Sequence, residues 1–261
     1  RAGLLREAPR LVRTRIRPAA TLAEALAGAI YVQENIPETL AAKRDIYIRM
    51  DALAARRTIL ASSTSTIPAS AFTRNLKGRA RCLVVHPVNP PHLVPLVELA
   101  PAPWTSRKTV ESARKLLVAA GQVPILVKTE IGGFILNRLQ AALLNEALSL
   151  YAGGYASAED IDKTVRDGLG LRWSFMGPFE TIDLNAPGGI VDYAARYGGP
   201  LYTLVRSQRP RRWDRALVKR LETERRRLVK ADALAARQAW RDRRLMALVA
   251  HKRAVSQGTK R

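Results

Sequence analysis

Short apolar runs punctuate the first half of the chain at intervals that helices fill. Thr21-Leu-Ala-Glu24 has the form of a capping box, in which the threonine accepts from an early helical amide while the glutamate reaches back. AIYVQEN (29–35) is the first predicted strand. Pro37 suits the first turn of a helix over residues 38–55, where Leu40, Ile46, Met50 and Leu53 recur at helical intervals. TILAS (58–62), CLVVH (82–86) and VPLVELA (94–100) are further strands. Helical periodicity over 105–120 stops at Gly121, a good residue beyond a helix end, and VPILVKT (123–129) follows as a strand. Such alternation predicts a mostly parallel sheet buried on both faces, part of a doubly wound α/β domain.

After Gly132-Gly133 the strand pattern ceases. FILNRLQAALLNEALSLYAGG predicts a long helix, buried on much of its circumference and ending at Gly153-Gly154. Ser157 caps the next helix, and MGPFETIDLN and GGIVDYAARYG extend the helical region. The stretch from Trp213 to Lys252 is amphipathic and very basic, with Leu217, Leu221, Leu228, Leu234, Trp240, Leu245 and Leu248 expected as buried contacts. The expected division is therefore a partial α/β domain over residues 1–131 and an all-helical domain over residues 132–261.

Composition changes this picture in few places. An apolar content of 47% in 261 residues supports a packed core. The single Cys82 forms no internal disulfide, which points to a reducing, cytoplasmic setting. No apolar run is long enough to cross a bilayer, and His86, His92 and His251 lie in no metal-ligand spacing. The net charge of +22 admits two readings, a polyanionic partner or arginine-rich solvated helix faces. Basic residues concentrate in the first 17 positions and after Val205, with no nucleic-acid-binding motif around them, so nucleic acid is not the expected partner.

Candidate chemistry clusters where strands end. Ser62, Ser63, Thr64 and Ser65 follow one strand at the edge where open α/β sheets bind ligands. Their hydroxyls suit a substrate oxygen or a cofactor, and equally suit a turn that caps the next helix. His86 ends the next strand, and Glu98 on the strand after it is placed to fix the histidine's tautomer for general-base work. Asn137, just past the glycine pair, offers an amide. A G-x-G-x-x-G fingerprint with its ribose-binding acid is absent from the chain, which begins RAGLLREAPR without a methionine. The expectation is that a pyrophosphate-binding segment lies upstream of Arg1.

ASSTSTIP, HPVNPPHLVPLVELAPAPWTS, GGFILNRLQAALLNEALSLYAGGYASAEDID and MGPFETIDLN together resemble the 3-hydroxyacyl-CoA dehydrogenase family. HPVNPP is closer to its lambda-crystallin and L-gulonate 3-dehydrogenase branch. The resemblance implies a Rossmann-like NAD-binding domain lacking its first βαβ unit, then a helical domain of the 6-phosphogluconate-dehydrogenase type. It implies that NAD accepts hydride from the carbon bearing a 3-hydroxyl while His86 takes the hydroxyl proton, with Glu98 orienting His86. Ser65 matches the serine that bonds the substrate oxygen, and Asn137 the asparagine after the domain break. Glu34 falls where the family contacts the cofactor ribose, and Asn89 where it contacts cofactor and substrate. A hydroxy-acid or acyl-CoA substrate and a homodimer through the helical domain are further implications. Without the glycine-rich loop at a helix N-terminus, weak NAD binding by these 261 residues is expected. Two other readings stand beside the enzyme: a structural homologue that has lost its nucleotide site, and a polyanion binder using the basic tail.

Overall fold

A computed structural model describes residue 5 and residues 7–258, the side chains of 256–258 excepted. It divides into two compact units, one formed by residues up to 138 together with those from 238 onward, the other by residues 139–237.

The first unit opens with short helices α1 (Pro9–Arg13) and α2 (Leu22–Leu26). Thr21 accepts from the Glu24 amide at 3.2 Å, and Glu24 reaches back one residue further than a standard capping box, to the Ala20 amide at 2.8 Å. Then follow β1 (Tyr31–Glu34), α3 (Leu40–Leu53), β2 (Ile59–Ser62), α4 (Ser70–Thr73), β3 (Cys82–Pro87), β4 (Leu96–Pro101), α5 (Arg107–Ala119) and β5 (Val123–Leu126). The α3 helix starts later than expected because Thr39, not a residue beside Pro37, supplies the cap to the Ala42 amide.

The five strands lie in sequence order. Pairings β1–β2, β2–β3 and β4–β5 are parallel, while β3–β4 is antiparallel. The mostly parallel expectation therefore holds, with one reversal whose cause is local. Residues 88–95 are too few for the crossover that a parallel connection needs. The sheet's two faces follow the alternation of side chains along each strand. Leu60, Cys82, Val84 and Ala100 pack with Tyr47, Met50 and Phe72 on one face, and Ile59, Ala61, Leu83, Val85, Val97 and Leu99 with Ala113 on the other. Burial on both faces is complete only in the middle strands; at the β5 edge Val123 is 53% exposed.

The inward face of α3 is not the apolar row that its sequence suggests. It buries Lys43, Tyr47 and Met50, while Leu53 is exposed. Lys43 reaches Glu34 at the end of β1, 2.8 Å from one carboxylate oxygen and 3.0 Å from the other, with both side chains 1% accessible. The Glu34↔Ser62 register adds a third partner, since Ser62 donates to the same carboxylate at 2.6 Å. A buried charge without such partners is strongly destabilising, so this lysine belongs inside only because Glu34 meets it there.

Beyond β5 every described element is helical: α6 (Leu136–Ala152), α7 (Ala158–Lys163), a π-helical turn (Thr164–Leu169), α8 (Gly170–Trp173), α9 (Pro178–Leu184), α10 (Gly189–Ser207), α11 (Arg215–Leu228) and α12 (Leu234–Gly258). Gly154 terminates α6 at φ +74°, and Ser157 caps α7 by accepting from the Asp160 amide at 3.1 Å. The second unit's core is small, made of Leu148, Tyr151, Ala158 and Leu217, with Ile161 and Leu221 beside them. Two expectations fail here. The α6 helix buries only Leu148 and Tyr151 and leaves Leu139 62% exposed; of the tail residues, Leu217 is buried while Leu228, Leu234, Trp240 and Leu248 are exposed. Helical periodicity identifies an apolar stripe, but this single chain offers too few elements to cover each stripe.

Candidate active site

The antiparallel reversal between β3 and β4 is what assembles the site. Its register places His86 directly opposite Glu98, and directly opposed residues share one face of a sheet. His86 Nδ1 lies 2.7 Å from Glu98 Oε2, and the two residues are 5% and 0% exposed. An ionised carboxylate only accepts, so Nδ1 is the donor in this bond and Nε2 is the nitrogen turned away from it. Nε2 makes no hydrogen bond among the described residues.

The second oxygen of Glu98 is held as firmly. Oε1 accepts from the backbone amides of Ile135 and Leu136 at 2.8 and 2.9 Å, the first amides at the start of α6. The carboxylate thus sits against the positive end of a 17-residue helix and satisfies amides that lack an intrahelical partner. Phe134, immediately before, is fully buried with its ring centroid 5.5 Å from that of His86.

Around this pair the ends of β1 and β2 contribute loops. Ser65 is exposed, and its carbonyl accepts from Asn137 Nδ2 at 2.8 Å, so the structure brings these two expected residues together. Asn89 is exposed in the loop after β3, and His92 lies in the same loop. Glu34 is placed differently from a group that meets a cofactor through its side chain. Its oxygens are taken by Lys43, by Ser62 and by the Ile36 amide at 2.6 Å, and it is 4% exposed.

Sequence reasoning passed over Glu38, the other carboxylate at this edge. Its Oε1 accepts from Thr64 Oγ1 at 2.5 Å, the Ser65 amide at 3.0 Å, and the amide and hydroxyl of Thr66 at 3.1 and 3.2 Å. Glu38 therefore ties Thr64, Ser65 and Thr66 of the hydroxyl-rich loop to the segment that follows β1. Its Oε2 has no partner among the described residues. The available signal was a carboxylate shortly after β1 and a cluster of hydroxyls after β2, on neighbouring parallel strands. No group of three or more His, Cys, Asp or Glu able to hold a metal ion occurs among the described residues.

Comparison with known proteins shows the family of the chain. Residues 3–131 match the family model described as 3-hydroxyacyl-CoA dehydrogenase, NAD binding domain, and residues 133–228 match the C-terminal domain of the same family. Lambda-crystallin from Oryctolagus cuniculus is 41% identical over 236 residues, which is 89% of this chain and 73% of that protein. L-carnitine dehydrogenase from Streptomyces griseus is 40% identical over 189 residues, 72% of this chain and 56% of that protein. Among solved structures, that of 5-formyl-3-hydroxy-2-methylpyridine 4-carboxylic acid 5-dehydrogenase, an NAD+ dependent dismutase, aligns with a TM-score of 0.77 at 29% identity. That alignment covers 88% of this chain and 75% of the other. The chain belongs to the 3-hydroxyacyl-CoA dehydrogenase family. Its class is the NAD-dependent 3-hydroxyacyl-CoA dehydrogenases and related hydroxy acid dehydrogenases, with NAD as cofactor. The carboxyl edge of β1–β3 fits that cofactor: it exposes Asn35, Ser65 and Asn89 as hydrogen-bonding groups and leaves Glu38 Oε2 free to accept from a hydroxyl.

Burial works against the Glu38 carboxylate, yet hydrogen bonds from Thr64, Thr66 and Ser65 outweigh it and hold its carboxyl below the ordinary 4.5. A carboxyl depressed by folding contributes in full above its unfolded value and loses that contribution as pH falls through the folded one. Amide hydrogen exchange across residues 63–67 is expected to quicken as pH falls through the lowered pKa of Glu38, after correction for intrinsic rates. Glu38→Gln should show faster exchange already at neutral pH. Identical protection in the variant and the unaltered protein would remove Glu38 from this role.

Proposed function

We propose that this protein oxidises the 3-hydroxyl of a small 3-hydroxy acid or a 3-hydroxyacyl-CoA, with His86 as the general base. NAD, when bound, supplies the acceptor for the hydride that leaves the hydroxyl-bearing carbon. The protein's own groups manage the proton. His86 Nε2 takes it from the substrate hydroxyl as the carbonyl forms, and the Glu98 carboxylate, 2.7 Å from Nδ1, balances the resulting imidazolium. Ser65 and Asn137 hold the substrate oxygen within reach of the base, with Asn89 and Glu38 on the cofactor side.

The observation that carries this reading is the His86–Glu98 pair itself. A buried histidine that only filled space would not need a carboxylate dedicated to one ring nitrogen, nor that carboxylate two helix amides. The structural-homologue reading uses these bonds for the fold alone and the polyanion reading does not use them; neither needs Nε2 without a partner among the described residues. NADH formation on 3-hydroxybutyryl-CoA, L-gulonate and L-carnitine tests the proposal and ranks its substrates. His86→Gln should lower kcat by roughly 10²–10⁴-fold, the usual worth of a positioned base, with circular dichroism unchanged. Turnover that survives this substitution would take the base role away from His86.

The helical region supports a homodimer as the working form. None of the 19 residues of α10 is buried, and Val191, Tyr202 and Val205 along it are 78%, 65% and 60% exposed. Exposed apolar stretches of this kind mark interaction surfaces. Sedimentation equilibrium should return twice the chain mass of 28.8 kDa. A monomer mass at micromolar concentration would oppose the dimer.

A further inference from the structure

Phe134 is the only non-glycine residue at positive φ among the described residues, at φ +50°. L side chains rarely adopt this left-handed conformation, and where one persists its surroundings hold it there, commonly at a functional site. The residue before it, Gly133, is also left-handed at φ +75°. A glycine at position 134 would make the same turn without steric cost, so the turn alone does not account for a phenylalanine.

The ring and the backbone of Phe134 serve the same pair of residues. The turn, closed by the Phe134 amide on the Ile131 carbonyl at 3.1 Å, sends the next two amides onto Glu98 Oε1. The ring, fully buried, lies 5.5 Å from the imidazole at 43° and continues into the core around Tyr47, Leu60, Phe72 and Val84. Packing into that core requires only an apolar side chain. It requires neither the left-handed backbone nor an aromatic ring beside His86.

The geometry assigns Phe134 the role of positioning residue for the His86–Glu98 pair, acting through its backbone on the carboxylate and through its ring on the imidazole. This inference rests on the assignment of His86 as the base. It predicts that Phe134→Leu lowers kcat by about 10²-fold, the scale of loss from ångström-level misplacement of a catalytic group, while KM changes little. The same variant should broaden or lose the low-field Nδ1–H proton resonance that His86 owes to Glu98. Unchanged kcat and an unchanged low-field proton, with only thermal stability reduced, would make Phe134 a core filler and overturn the assignment.

Should Phe134→Leu not fold, the unaltered protein supplies the readout. The His86 ring protons, identified by their absence in His86→Gln, must carry a ring-current shift from the phenyl ring 5.5 Å away. Shifts equal to those of the exposed His92 and His251 would likewise overturn the assignment. If His86→Gln remains active, the proposed reaction fails. If it is inactive while Phe134→Leu is fully active, only the role of Phe134 fails.

Discussion

The hydrogen bond between His86 and Glu98 is the constraint around which the first unit is arranged. Glu98 is completely buried, and a carboxylate in that position destabilises the fold unless both oxygens find donors. It finds three, one from His86 on β3 and two from the first turn of α6. Satisfying this one group therefore fixes the β3–β4 register, the entry of α6 and the tautomer of the imidazole together. The same bonds that remove an energetic penalty leave Nε2 without a partner among the described residues, as the proposed base role requires.

Carboxylates organise this edge of the sheet more generally, in a chain whose net charge is +22. Glu34 holds a buried lysine and Ser62, Glu38 clamps three residues of the hydroxyl loop, and Glu130 accepts from the Ser70 amide at 2.9 Å. Each reaches across from one element to a neighbouring one. Basic residues lie elsewhere, and α11 and α12 together carry 12 of the 44 lysines and arginines.

The strands were legible in the sequence because each is a short apolar run closed by a polar or proline-rich stretch, and His86 and Glu98 stood out as lone polar residues within such runs. Their pairing was legible for the same reason, since the strands that carry them are consecutive. What was hidden depends on contacts distant in sequence. Lys43 looks like a solvated helix residue until Glu34 is brought against it. Glu38 looks like any helix-start carboxylate until the loop after β2 folds over it. Phe134 scores as an ordinary apolar position, because periodicity carries no information about the sign of φ. The helical half was over-read instead: α6 and α12 have apolar stripes, but a stripe shows which face is apolar and not what covers it.

The central claim is that His86 and Glu98 act as one device, and a double-mutant cycle on kcat tests it most directly. Residues that act as a unit give strongly non-additive losses. With His86→Gln, Glu98→Gln and the double variant assayed at one pH, the double variant should lose no more than the worse of the two single variants. Losses that multiply in the double variant would mean that the two side chains contribute independently, and would contradict the account.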